Sequence, residues 1–296
     1  MNKAGKSYLF AILAILFWAT VPTAFKLCLA ELDILVMLTI ASLVSTIALF
    51  IVLAASGKLS LLKNISGRNI LSSAILGLIN PAIYYLILLR AYQLLPAQVA
   101  QPLNMVWPII LVFLSGPVLG QKIKLKSYMA LLVSFAGVFI ISSQGKLSWS
   151  QHANLNGVML ALVSSVFWAF YFILNMKDKR EETVKLFMNF LCGTIFLLLA
   201  LVISGKLSGA SLSARGIIPA VYIGIFEMGI TFWLWLKALQ LAETTDRVSN
   251  LVYLAPFISL ILVHFILHEP VYYTTPAGLI LIIGGILIQN TRNRRV

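Results

Sequence analysis

The stretch 214-ARGIIPAVYIGIFEMGITFWLWLKALQ-240 decides how the chain is read. Between Gly216 and Leu236 it holds 21 residues and a single charge, Glu227. At about 1.5 Å of rise per helical residue, such a run reaches across the roughly 30 Å hydrocarbon core of a bilayer. Glu227 then falls near the midplane. A carboxylate there costs several kcal/mol unless it is protonated, paired or facing water, so it is a functional-site candidate. The remaining acidic residues, at positions 31, 33, 178, 181, 182, 243, 246 and 269, all lie at or beyond the ends of apolar runs.

The rest of the chain has the same character. With 60% apolar and 10% charged residues and a mean hydropathy of +0.98, it is apolar nearly throughout and reads as a polytopic α-helical membrane protein. The net charge of +13 comes from Lys and Arg scattered over short loops, which excludes a nucleic-acid-binding domain and points to membrane orientation. Cys28 and Cys192 sit in separate apolar runs without zinc or disulfide spacing. Lys3 and Lys6 precede an apolar run too long for a signal sequence, which reads as a retained first helix.

Charge-poor runs of spanning length fall at about 7–28, 34–56, 69–89, 96–120, 127–145, 155–176, 186–205, 216–237, 247–267 and 272–291, which predicts ten helices. The breaks between them carry charge or turn residues, as at Gly57-Lys58, Gly145-Lys146, Gly205 to Gly209 and Glu269-Pro270. With the N-terminus inside, 17 Lys and Arg residues fall on the inner side and five, Lys26, Arg90, Lys146, Lys206 and Arg215, on the outer side. The positive-inside rule therefore predicts that both termini are cytoplasmic, in a multi-pass protein of the cell (inner) membrane.

The sequence also repeats. Phe17-Trp18-Ala19 recurs as Phe167-Trp168-Ala169, and Leu89-Arg90-Ala91-Tyr92-Gln93-Leu94 as Leu236-Lys237-Ala238-Leu239-Gln240-Leu241, at offsets of 150 and 147. Pro108 and Pro256, Ala130 and Gly278, and Gly137 and Gly285 are each 148 apart. This offset divides the chain into residues 1–148 and 149–296, each a repeat of five helices. Because five is odd, the second repeat enters the membrane the other way up. Inverted repeats of this kind characterise secondary transporters, whose substrate site lies near the midplane between the halves.

Over its whole length the chain resembles the ten-helix EamA-type branch of the drug/metabolite transporter superfamily. Asn104-Met105-Val106-Trp107-Pro108, followed by Gly120-Gln121-Lys122, resembles the Asn-x-x-Trp-Pro and Gly-Gln-Lys pattern of YddG-type amino-acid exporters, and His268-Glu269 stands where the family often has Gly-Glu. The resemblance implies a central cavity lined by helices 1, 3, 4, 6, 8 and 9, with helices 5 and 10 at the rear. The chain departs from YddG-type proteins at Asn80-Pro81 and in having Glu227.

The repeat places Asn80 and Glu227 at equivalent mid-helix positions, 147 apart. Asn80 with Tyr84, Glu227 with Thr231, and Asn104 with Trp107 each form a polar or aromatic stripe at helical spacing. Trp168, Tyr171 and Asn175 form another on helix 6, with Trp18 at the matching place on helix 1. These ten residues are the candidate substrate site. For each the competing interpretation is structural: Glu227 and the asparagines as interhelical hydrogen-bonding groups, the tryptophans as packing. Trp233 and Trp235 fit either a cavity or an interface belt. His264, His268 and Glu269 have helical metal-pair spacing without a third ligand, and no metal or other cofactor is expected. No clustered aspartates, activated nucleophile or midplane histidines are present to support intramembrane enzyme chemistry.

These observations read as a secondary transporter, an exporter of small organic metabolites, most naturally amino acids or related amine-bearing solutes, working by alternating access. Glu227 is placed to accept an ammonium group or carry a coupling proton; the only other partners expected are membrane lipids. The alternatives are a multidrug exporter of lipophilic cations and a non-transporting membrane binding protein. The orientation is directly testable. In a Cys-free background, single cysteines at Lys124 and Lys179 resist an impermeant thiol reagent in intact cells, whereas cysteines at Lys146 and Lys206 react. The reverse pattern contradicts the topology.

Overall fold

The computed structural model describes residues 2–95, 97–143, 154–206, 212–267 and 274–290. Among these no strand occurs, and the chain forms ten apolar helical runs. They are α1 (Lys3–Leu29), α2 (Ile34–Ala55), α3 (Gly67–Leu94), α4 (Ala97–Asn104 continued by Trp107–Leu119), α5 (Leu125–Ser142), α6 (Leu155–Lys177), α7 (Glu182–Ser204), α8 (Ala214–Leu241), α9 (Asp246–Ser249, a tight turn Asn250–Tyr253, then Leu254–Leu267) and α10 (Thr274–Asn290). Seven are long and apolar enough to span a membrane outright; the main segment of α4, with α5 and α10, supplies shorter apolar helices. Large apolar side chains such as Ile51, Leu125, Ile203 and Phe265 project outward, the surface expected against lipid.

The helix starts follow local chemistry. Asp33 and Glu181, 148 apart, cap α2 and α7 by accepting from the backbone N–H groups of Leu35 and Val184, while Ser66 and Ser213, 147 apart, cap α3 and α8. At the opposite ends of α2 and α7, Gly57 and Gly205 both adopt φ of 66°, a left-handed conformation that a side chain would strain. The helices α3 and α8 run further than their apolar cores, to Leu94 and Leu241, because Arg90 and Lys237 end the hydrophobic run without ending the helix. The predicted turns at Gly145-Lys146 and Glu269-Pro270, the boundary near residue 148 and the pair His268-Glu269 lie outside the described residues.

Contacts recur at the same offset. The residue pairs Thr46–Thr194 and Ser134–Ile282, each 148 apart, hydrogen-bond directly, with Oγ1 to Oγ1 at 2.9 Å and Oγ to carbonyl at 3.4 Å. A Cβ added at Gly137 would lie 2.5 Å from the Gly278 carbonyl, and one at Gly285 would lie 2.7 Å from the Ala130 carbonyl, which is the same contact with the repeats exchanged. Likewise α3 meets α7 at Gly77 and α8 meets α2 at Gly224, where added Cβ atoms would lie 2.6 Å from the Gly193 amide and 2.5 Å from the Ala41 carbonyl. Lys58 Nζ pairs with Glu181 at 2.7 Å, and its counterpart Lys206 pairs with Asp33 at 2.8 Å. These contacts place two helix pairs on the pseudo-two-fold axis, α2 against α7 and α5 against α10.

The ends of α2 and α7 are thus stapled at both faces. Burial raises the Asp33 and Glu181 carboxyls, but the bonds from Lys206 and Lys58 and from the backbone N–H groups they cap outweigh it and hold both below the ordinary carboxylate value. Next to Glu181, Arg180 binds Asp178 at 2.6 Å and reaches Ser73 at 2.9 Å, joining the α6–α7 turn to α3.

The α5–α10 contact is testable at two adjacent glycines. Gly285→Val drives a side chain into α5 and is expected to destabilise the protein by about 1–3 kcal/mol. Gly284→Ala, whose Cβ meets nothing within 4 Å, should be neutral or slightly stabilising. Thermal unfolding in micelles compares them.

Candidate functional site

Both copies of the third repeat helix break at the same place. In α3 the segment Leu78–Ile83 widens to π geometry, with Asn80 in an extended conformation (φ −149°, ψ 122°) and a cis Asn80-Pro81 peptide. In α8 the segment Ile223–Gly229 is a π turn that contains Glu227. The fourth pair also breaks, α4 between Asn104 and Trp107 and α9 at Asn250–Tyr253. Each break alters the angle between successive side chains, so spacing of three or four residues no longer guarantees a common face.

The consequence is a division of the ten candidates. Trp18, Tyr84, Asn104, Trp107, Trp168 and Glu227 line one cavity, together with Val21, Pro22, Phe25, Leu88, Tyr92, Gln101 and Met105. Asn80, Tyr171, Asn175 and Thr231 do not line it. Asn80 is fully buried in the α3 break with both amide atoms unpartnered among the described residues. The Thr231 hydroxyl donates to the Phe226 carbonyl that the π turn leaves free. Tyr171 and Asn175 turn toward α7 and α8: Tyr171 packs on Phe232, and Asn175 Oδ1 accepts from Asn189 Nδ2 at 3.0 Å. The wall expected from helix 9 is also absent, because the α9 turn lies against α1, α5 and α10.

The floor of the cavity is formed by Trp18, Trp107 and Trp168, with Trp235 packed against two of them. Trp18 packs edge-on against Trp107 (6.1 Å) and Trp168 (5.8 Å), and Trp235 lies 5.1 Å from Trp18 and 5.6 Å from Trp107. Trp235 thus belongs to the interior rather than an interface belt, whereas Trp233, half-buried, packs edge-on against Phe10. Above the floor, Tyr84 lies 4.4 Å from Trp168 and 4.6 Å from Tyr85. From Trp18 the lining climbs α1 through Pro22 to Phe25 and α3 through Leu88 to Tyr92, toward the end that carries Lys26 and Arg90. The tryptophans close the other end.

Polar groups enter this aromatic vessel at few points. Glu227, 4% exposed, accepts a hydrogen bond at Oε1 from the Tyr85 hydroxyl at 2.7 Å, and Oε2 has no partner among the described residues. Asn104 Nδ2 donates to Ser164 Oγ at 2.9 Å, which turns its Oδ1 toward Tyr84, whose hydroxyl lies 3.4 Å away. The indole N–H groups of Trp18 and Trp168 are buried and have no partner among the described residues. Among the described residues the lining holds one carboxylate and no cationic side chain. Its free space is about 40 Å³ for the centres of water-sized molecules, room for about three waters at roughly 10–15 Å³ each, so an organic solute needs a wider conformation.

Sequence reasoning missed Tyr85, Tyr92, Gln101 and Ser164, and left Trp235 open between cavity and interface belt. Tyr85 is one residue outside the Asn80–Tyr84 stripe, yet its hydroxyl is the one that meets Glu227. Among the described residues no group of three or more His, Cys, Asp or Glu side chains could hold a metal.

The EamA-like transporter family matches residues 5–143 and again 155–291. The chain belongs to this family. It is 27% identical over 219 residues to the "Uncharacterized transporter YvbV" of Bacillus subtilis, covering 73% of this chain and 70% of that protein. An uncharacterized transporter of Clostridium kluyveri is 25% identical over 297 residues, 98% of this chain and 94% of its own, and one from Archaeoglobus fulgidus is 28% identical over 287 residues, 96% and 98%. A solved crystal structure shares the fold, with a TM-score of 0.79 and 18% identity over 97% of this chain and 99% of that one. The protein is therefore a multi-pass membrane transporter of small molecules rather than an enzyme, built from two repeats.

The Tyr85–Glu227 bond joins the two repeats at their midplane, and a double-mutant cycle measures it. Tyr85→Phe and Glu227→Gln should be coupled by about 1 kcal/mol or more in unfolding free energy, the range for a buried bond to a carboxyl group. Additive effects would mean that the bond carries no energy.

Proposed function

We propose that this transporter exports small amine-bearing metabolites, amino acids among them, by alternating access. The observation that carries this reading is the chemistry of the lining: one buried carboxylate with a free oxygen, no positive side chain, and walls of Trp and Tyr. An ammonium group gains from both the carboxylate and the aromatic faces. In this scheme Glu227 is the charge partner, Trp18, Trp107 and Trp168 are walls, and Asn104 with Tyr84 orients the polar end. Asn80, the counterpart of Glu227, belongs to the same breaks without touching the substrate in this conformation. Export is the direction implied by the resemblance to YddG-type proteins.

The same lining supports a second reading. Because no cationic group stands ready for a carboxylate, a lipophilic cation fits the vessel as well as a zwitterion does. Competition by zwitterionic amino acids against hydrophobic cations in proteoliposomes separates the two.

A proton and an ammonium group compete for Glu227, which makes it the candidate for proton coupling. A protonated carboxyl cannot pair with a cation, so substrate affinity falls as the pH is lowered from about 8 to about 5. Glu227→Gln imitates the protonated form and should weaken binding about tenfold while flattening the pH profile. Trp168→Phe should weaken binding a few-fold with little change in melting temperature. Normal transport with an unchanged pH profile in Glu227→Gln would reduce Glu227 to an interhelical link.

A further inference from the structure

The pseudo-two-fold relation tests what each ion pair is for. Lys58–Glu181 and Lys206–Asp33 are counterparts, made simultaneously on opposite faces, so they cannot distinguish an outward from an inward conformation. A third pair is different. Lys237, near the end of α8, binds Glu182 at the start of α7 at 2.7 Å, with both side chains mostly buried. Its counterparts are Arg90 and Ile34, which cannot pair, and Arg90 instead donates to Gln93. One residue further along α8, Ser7 Oγ donates to the Ala238 carbonyl at 2.7 Å, whereas its counterparts are Gly157 and Ala91. The end of α8 is therefore held on the N-terminal face by two bonds whose counterparts do not form at the end of α3, where Lys26 Nζ donates instead to the Tyr92 carbonyl at 3.4 Å.

Exchanging the repeats also maps the cavity lining onto the N-terminal face. At offsets of 150 for α1 and α6 and 148 for α4 and α9, Val21 maps to Tyr171, Gln101 to Ser249 and Met105 to Tyr253. All three counterparts are buried; the hydroxyls of Ser249 and Tyr253 have no partner among the described residues, and that of Tyr171 faces only the amides of Asn175 and Asn189. Such groups cost free energy where they stand, unless another conformation hydrates them. A separate cleft of about 120 Å³ on the N-terminal face, lined in part by Ser7, Ala242, Arg247 and Val248, already reaches the residue next to Ser249.

We propose that Tyr171, Ser249 and Tyr253 line a second, collapsed vestibule on the N-terminal face, and that the Lys237–Glu182 pair is the latch that keeps it closed. The vestibule is the inward-opening counterpart of the cavity at Glu227. Release of the latch lets the end of α8 swing from α7 and α1, while the stapled pair of α2 and α7 stays fixed. This rests on the alternating-access reading, but its test needs no substrate.

In a background with Cys28 and Cys192 replaced by alanine, Ser249→Cys is exposed to an impermeant methanethiosulfonate reagent in inside-out and right-side-out vesicles. Labelling is expected only from the face that bears Lys124 and Lys179. Adding Glu182→Gln should accelerate it about threefold or more, the shift expected when a partly buried ion pair is lost from one of two conformers. Glu181→Gln, which breaks a staple, should lower the melting temperature and leave the labelling rate within about twofold. Thr231→Cys, the counterpart of Tyr84, repeats the measurement should Ser249→Cys fail to fold. Equal acceleration by Glu181→Gln, labelling from the opposite face, or no labelling with the latch removed would each overturn the proposal. If instead labelling behaves as expected and no amine competes for binding, the substrate reading fails and the vestibule stands.

Discussion

The structure depends on one constraint: hydrocarbon offers nothing to a backbone N–H or C=O, so each must find its partner within the protein. Regular helix meets that demand anywhere, and an interrupted helix meets it only inside the bundle. The interruptions here obey this. They fall at Leu78–Ile83, Ile223–Gly229, the Asn104–Trp107 join and Asn250–Tyr253, where all but Leu78 are buried or half-buried. Where the π turn of α8 frees the Phe226 carbonyl, Thr231 satisfies it. The breaks and the cavity therefore share a location for a single reason, since only the middle of the bundle tolerates irregular backbone.

The inverted repeat sorts helices into fixed and mobile partners. Contacts on the pseudo-symmetry axis are the same whichever repeat is considered first, so Thr46–Thr194, Ser134–Ile282 and the paired glycines of α5 and α10 need not change when the two faces exchange roles. Off the axis, the broken helices α3, α4, α8 and α9 present different surroundings to equivalent residues. Asn80 and Glu227 show the asymmetry at its clearest. They occupy matching breaks, yet only Glu227 meets a hydroxyl and the cavity.

How much of the site was legible depended on whether the helix was regular between the residues compared. Trp18 and Trp168 were found by the repeat, and the structure brings their rings within 5.8 Å. Glu227 was found because a lone carboxylate in an apolar run has few structural uses. The i,i+4 stripes failed where they crossed a break: Asn80 and Tyr84 do not share a face, and neither do Glu227 and Thr231. On unbroken α6 the stripe failed for another reason, since Tyr171 and Asn175 face a neighbouring helix that the sequence does not locate.

Sequence alone determined the number of helices, their inversion and the family. Those properties rest on hydropathy, charge and repetition, which belong to the chain before it folds. Tertiary structure alone decided which aromatic residues form the tryptophan floor, why Tyr85 rather than Asn80 serves Glu227, and which lysines are staples. Those outcomes turn on the rotation of one helix against another and on a π turn that shifts a face by part of a residue, and neither has a signature in spacing. The ion pairs make the same point. The repeat pairs Lys58 with Lys206 and Lys237 with Arg90, but only their partners in space separate two symmetric clasps from a bond made on one face.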